Sequence, residues 1–272
     1  LNLTKQYYKI MKYILKMLLV IMSFSVFAKD VDINKKNKND LDSILLEVGE
    51  WRDIGPFRGG RSTTATGITS SDQIYYMGTT GGGLWKTYDA GLSWKNVSDG
   101  FFATGSVGAV SVSESNNNIV VVGMGESPVR GVMTSSGDGV YKSVDAGETW
   151  KHIGLDGTKH ISQVRIHPHN PDVMYVSAQG SPYVDTQDRG VYRTTDGGKN
   201  WKKVLFVDAS SGAIDLAMDY TNPRILYAAF WDHQRLPWYV RSGGKGSGIW
   251  KSVDGGDTWK KLEDGLPKSL MG

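Results

Sequence analysis

One short pattern recurs four times along the 272 residues and constrains the fold more than any other feature of the chain. The copies are Thr87-Tyr88-Asp89-Ala90-Gly91-Leu92-Ser93-Trp94, Ser143-Val144-Asp145-Ala146-Gly147-Glu148-Thr149-Trp150, Thr194-Thr195-Asp196-Gly197-Gly198-Lys199-Asn200-Trp201 and Ser252-Val253-Asp254-Gly255-Gly256-Asp257-Thr258-Trp259. Their aspartates, Asp89, Asp145, Asp196 and Asp254, stand 56, 51 and 58 residues apart. A period of this size marks stacked supersecondary units, none of which buries its apolar face alone. The pattern itself is turn chemistry. The Asp carboxylate accepts from backbone N–H groups a few residues on. The Gly takes positive φ without steric cost. The closing Trp94, Trp150, Trp201 and Trp259 start the next strand and supply a ring to bury between neighbouring sheets.

Short strands flank every copy. Leu84-Trp85-Lys86, Val140-Tyr141-Lys142, Val191-Tyr192-Arg193 and Ile249-Trp250-Lys251 precede the turns, and runs such as Trp150-Lys151-His152-Ile153 follow them. Two further apolar or alternating runs lie upstream, at 107–112 and 119–122, 161–166 and 173–176, and 214–218 and 225–230. Asn170-Pro171 and Asn222-Pro223 separate the last two of these pairs. Four strands per period of about 50 residues predict an all-β chain, a β-propeller of four-stranded antiparallel blades. Four blades fit between Trp51 and Glu263, and residues 265–272 read as a linker toward a fifth. A propeller has no protected edge until its ring closes. The expectation is therefore a piece of a larger propeller, with a closed four-bladed ring as the alternative.

The amino end reads differently. Lys12 precedes an apolar run from Leu15 through Phe27 that ends at Ala28, the pattern of a secretory signal peptide within residues 1–28. The run is short for a bilayer span, and an uncleaved anchor is the alternative. Residues 29–50 read as a flexible leader and 51–272 as the propeller segment. The expected location is periplasmic, cell-surface or extracellular. Residues 1–28 hold four lysines and no acid; without them the remaining bases number one fewer than the 28 acids. The exported part is near neutral, which gives no electrostatic basis for nucleic-acid binding. The chain has no cysteine, so disulfides and thiolate chemistry are excluded.

In an antiparallel blade the one–two and three–four turns share one face, and the two–three loops share the other. The Asp turns are three–four turns and need no partner. The two–three loops are long and unlike one another, which makes them the expected working face. They supply Arg130, Tyr183, His233, Arg235, Trp238 and Arg241 as ligand-binding candidates, joined by Arg58 and Arg61 ahead of the first strand. Glu126 and Asp232 follow equivalent strands, and two carboxylates across a cleft suit acid–base cleavage of a glycoside. The alternative is that these charges pair with nearby arginines and only shape the loops. The five histidines show no helical metal pair, Gly81-Gly82-Gly83 leads into a strand rather than a helix, and neither a metal nor a cofactor is expected.

The four turns, with Met77-Gly78-Thr79-Thr80-Gly81-Gly82-Gly83-Leu84-Trp85-Lys86-Thr87, resemble the Asp-box (BNR) repeat propellers related to sortilin, whose bacterial members are often labelled glycosyl hydrolases. The resemblance runs from Trp51 to Gly272. It implies a multi-bladed propeller, one usually longer than this chain. Two functions are carried from the loop residues: a module that grips a glycan or peptide with its two–three loops, and a glycoside hydrolase using a carboxylate pair. The Gly-rich strand also resembles that of xyloglucan-cleaving endoglucanases, whose motif T-D-I-G-G-A-Y-R carries a catalytic Asp where this chain has Thr80. Phe57-Arg58 resembles the first half of the sialidase motif F/Y-R-I-P, and Gly59-Gly60 replaces the second half.

Overall fold

The structure is a computed structural model and describes residues 60–129 and 134–266. The segments 1–28 and 29–50, with Arg58 and Arg130, lie outside the described residues. The first sheet holds β1 (Ser62–Ile68), β2 (Ser71–Thr79), β3 (Leu84–Thr87) and β4 (Lys95–Asn96). The second holds β5 (Val107–Val112), β6 (Val120–Met124), β7 (Val140–Ser143) and β8 (Lys151–His152). The third holds β9 (Ile161–Ile166), β10 (Met174–Ala178), β11 (Gly190–Thr194) and β12 (Lys202–Leu205). The fourth holds β13 (Ser211–Met218), β14 (Leu226–Leu236), β15 (Tyr239–Ser242), β16 (Gly248–Ser252) and β17 (Lys260–Lys261). Each is an antiparallel meander in chain order, except that β15 pairs only with the outer half of β14.

The innermost strands β1, β5, β9 and β13 stand side by side in that order, which is propeller geometry. Among the described residues β13 does not pack beside β1, so these four blades do not close a ring on themselves. A groove of about 530 Å³ runs along the innermost strands, lined by Thr64, Thr66, Ser111, Gln163 and Arg165. The apolar core is three layers, one between each pair of adjacent sheets. Burial follows from this stacking. Strands β6 and β10 are buried along their whole length because a sheet covers both their faces. Strand β14 alternates buried and half-buried residues because the described chain covers one face only.

Two expectations need correction. The segment 231–241 is not a loop: β14 runs through it to Leu236 and turns back as β15, making a hairpin tipped by Pro237-Trp238. The tryptophans of the repeats are also unequal. Trp150 is buried, whereas Trp94, Trp201 and Trp259 are half-buried.

Candidate functional site

The two faces are built by opposite means. On the face of the repeated turns, each turn is satisfied by its own residues. Asp145 Oδ1 accepts from the Ser143 hydroxyl (2.7 Å) and the Thr149 N–H (2.9 Å), and Oδ2 accepts from the Thr149 hydroxyl (2.6 Å). The Gly147 N–H donates to Ser143 Oγ (2.8 Å). Asp89, Asp196 and Asp254 repeat the arrangement. These hydrogen bonds favour the ionised carboxylate and pull Asp89 and Asp145 down to about 2, and Asp196 and Asp254 lower still. The turn spends two consecutive residues at positive φ. Gly197 and Gly198, and Gly255 and Gly256, meet that demand, but the first two copies place Ala90 (φ 57) and Ala146 (φ 58) there.

On the opposite face, the loops lean on one another across blades. Thr134 N–H donates to the Tyr183 hydroxyl (2.6 Å), Gln234 Nε2 donates to Tyr183 O (3.0 Å), and Arg235 N–H donates to Pro182 O (2.7 Å). Beneath them Arg189 is fully buried. Its guanidinium donates to the carbonyls of Ser181 (2.7 Å), Val184 (3.3 Å), His233 (3.4 Å) and Ser210, tying the third-blade loop to the fourth blade. Arg241 binds Asp232 through Nε (2.6 Å) and Asp185 through Nη2 (2.7 Å).

Two buried histidines each donate Nδ1–H to a backbone carbonyl. His160 Nδ1 donates to Glu126 O (2.9 Å), and His233 Nδ1 donates to Trp231 O (3.0 Å), which leaves Nε2 of each as an acceptor in the neutral ring. Burial lowers both, His233 to about 4. The Trp231 ring stacks on His233 at 4.5 Å and 14°. Glu126 is buried and lies 4.0 Å from Arg61, which is exposed. Above this layer the hairpin tip lifts Trp238 into solvent at 82% exposure, beside Tyr239 at 47%.

A family model described as sortilin, neurotensin receptor 3 (Sortilin-Vps10) matches residues 138–269. Over those residues the chain is similar to the sortilin family of Asp-box propellers. The propeller is 24% identical over 226 residues to a xyloglucanase of Hypocrea jecorina, covering 76% of this chain and 26% of that protein. It is 34% identical over 91 residues to vacuolar protein sorting/targeting protein 10 of Kluyveromyces lactis, covering 30% of this chain and 5% of that one. It thus spans about a quarter or less of the length of these relatives. Among solved structures, an ancestral GH74 enzyme aligns with TM-score 0.59 at 19% identity, over 76% of this chain and 26% of that one. The Niastella koreensis GH74 enzyme aligns with TM-score 0.54 at 19% identity, over 74% and 30%. These two share the fold.

Within the Asp-box propeller, the structure gathers Tyr183, Asp232, His233, Arg235 and Arg241 at the junction of the third and fourth blades. Glu126 of the second blade lies near Arg61, just ahead of the first blade's β1, and near His160 from the third. Sequence reasoning missed Arg189, His160, Gln179 and Asp185. Arg189 stands just before a strand, where nothing in composition or spacing distinguishes it from a solvated arginine. Gln179 is legible only in space, where its Nε2 lies 3.4 Å from His233 Nε2.

Proposed function

We propose that this chain is an exported Asp-box propeller that binds a glycan or peptide on its two–three face, with the hairpin 233–242 as the grip. The observation that carries the reading is Trp238. A ring 82% exposed on the tip of a paired hairpin is a stacking platform, and its base is fixed by Arg189 and Arg241. A pre-organised aromatic loses little conformational freedom on binding. The xyloglucanase relatives make xyloglucan oligosaccharides the first ligands to test. Tryptophan fluorescence titration against these and a glycan and peptide panel is expected to give saturable binding. Trp238→Ala is expected to weaken it at least tenfold, as stacking is worth roughly 1–3 kcal/mol. Binding that is unchanged in Trp238→Ala sinks the reading.

Catalysis is the second reading, favoured by the names of those same relatives. Against it, Asp232 is engaged by the Arg241 guanidinium and position 80 holds a threonine. Turnover of chromogenic glycosides that vanishes in Glu126→Gln or Asp232→Asn would favour catalysis over binding alone. Export is tested by detecting the chain, shortened near Ala28, outside the cytoplasm.

A further inference from the structure

Adjacent blades meet through a base on the third strand of one and the Asp box of the next. Lys86 Nζ donates to Ala146 O (2.8 Å), Lys142 Nζ to Gly197 O (3.3 Å) and Arg193 Nη1 to Gly255 O (2.7 Å). The residue three past the aspartate of the incoming box then sets the charge of the junction. Between the first and second blades it is Glu148, 3.9 Å from Lys95. Between the third and fourth it is Asp257, 2.8 Å from Arg193. Between the second and third it is Lys199, so a base stands where the other two junctions have an acid.

The middle junction is open as well as basic. A groove of about 700 Å³ lies beside β8, the outermost strand of the second blade, and is lined by Lys151 of that blade and Lys199 of the third. Buried Trp150 and half-buried Ile153 give it an apolar lining, and Val144 adds an exposed apolar side chain. The nearby acids are engaged: Asp172 meets Lys142 at 3.9 Å and Asp156 meets His152 at 3.7 Å. Lys151 and Lys199 are exposed, and neither has an ion pair among the described residues. Both walls belong to an interior junction, flanked by the first and fourth blades.

We propose that this groove binds an acidic, extended peptide segment of a partner protein. Carboxylates of the segment pair with Lys151 and Lys199 from opposite walls, and an apolar side chain between them packs over Ile153 and Trp150. The lining selects peptide over sugar: its one indole, Trp150, is buried rather than presented, so it offers no stacking platform. The lysines are point charges that lack the planar fork of arginine, so acid content rather than an exact motif determines binding. The groove is separate from the hairpin 233–242 and does not depend on the ligand proposed there.

Fluorescence anisotropy of a labelled peptide of alternating Glu and Leu, titrated with the full chain, tests the proposal. Saturable binding is expected. It should weaken as ionic strength rises from about 0.01 M to about 0.15 M and the screening length contracts from roughly 30 Å to roughly 8 Å. Lys151→Glu with Lys199→Glu is expected to weaken it about tenfold, because two exposed attractions become repulsions. Lys199→Asp alone installs the acid of the fourth copy and is expected to weaken it by a smaller factor. Lys95→Glu with Lys202→Glu makes the same change in net charge at the flanking junctions and should leave binding unchanged, as should Trp238→Ala. A peptide that does not bind, an equal loss in the two double variants, or a groove that takes a sulfated polysaccharide and refuses the peptide overturns the proposal. All four lysines are exposed, and unchanged circular dichroism of each variant shows that the fold is retained.

Discussion

The Asp-box face and the two–three face sit on the same strands and obey different rules. On the first, every aspartate carboxylate is satisfied within its own eight residues, so the same set of bonds recurs in all four copies. On the second, polar groups of the second, third and fourth blades reach across to one another. A locally closed motif tolerates repetition. A face closed by long-range contacts is free to diverge, and each blade fills it with different residues. Function is therefore sought where the repeat breaks down.

The sharpest way to break this contrast is Arg189→Met. It keeps the apolar stem, removes the guanidinium and leaves buried carbonyls of Ser181, Val184, Ser210 and His233 without their donor. A loss of about 3–5 kcal/mol is expected in denaturant unfolding. A loss below 1 kcal/mol, on the order of one surface substitution, would mean that the two–three loops do not depend on each other. On the Asp-box side, Trp150→Ala empties a buried site between two sheets and removes the bond to Val97 O. About 3 kcal/mol is expected. Trp259→Ala should cost less by the same assay, since that indole is half-buried and donates to Gly256 O of its own turn.

The faces also separate by pH. His233 is depressed to about 4 from an unfolded value near 6.5, so the unfolded chain takes up its proton first as pH falls. Its stabilising contribution is complete above about 6.5 and is lost between there and about 4, and burial lowers His160 in the same direction. The total from His233 is up to about 3 kcal/mol. The Asp-box carboxylates titrate later: Asp89 and Asp145 lose their contribution only from about 4 down to about 2. Melting temperatures should fall from pH 7 to pH 4 in the wild type and fall less steeply in His233→Gln, with the remainder due to His160. A flat wild-type profile would place the histidines in solvent.

This division also explains what the sequence discloses. The Asp boxes were legible because each aspartate carboxylate is satisfied within a few residues, so the one-dimensional pattern contains all of its hydrogen bonds. The innermost strands at 107–112 and 161–166 were legible for a similar reason, their apolar runs being set by burial between sheets. Arg189 and Gln179 were not legible, because what makes them special is a partner some 20 to 50 residues away. The hairpin at 233–242 was misread as a loop because Pro237, Arg235 and Arg241 suit an exposed turn. Its pairing depends on Gln234 and Arg235 meeting the third-blade loop. Even within the boxes the reading stopped one residue short. It assigned positive φ to the glycine and overlooked the preceding position, where the first two copies hold alanine.

That position offers a smaller and cleaner test. Ala146→Gly relieves a left-handed alanine that the third and fourth copies already avoid. A gain of about 0.5–1 kcal/mol is expected after the entropy of the unfolded glycine is set against the relieved strain. A loss would show that the strain at this position is smaller than the entropy the glycine adds to the unfolded chain.

The smallest expected effect on folding belongs to Trp238→Ala. The ring is 82% exposed, and β15 pairs with β14 through residues 233–236 and 239–242, so the backbone of the hairpin does not need it. Unfolding free energy should move by less than about 0.5 kcal/mol, the range of ordinary surface substitutions. An exposed tryptophan that contributes nothing to stability while it carries ligand affinity is a residue retained for contact. If the same substitution instead cost as much as Trp150→Ala, the ring would be packed rather than presented, and the hairpin would be one more structural tie between blades.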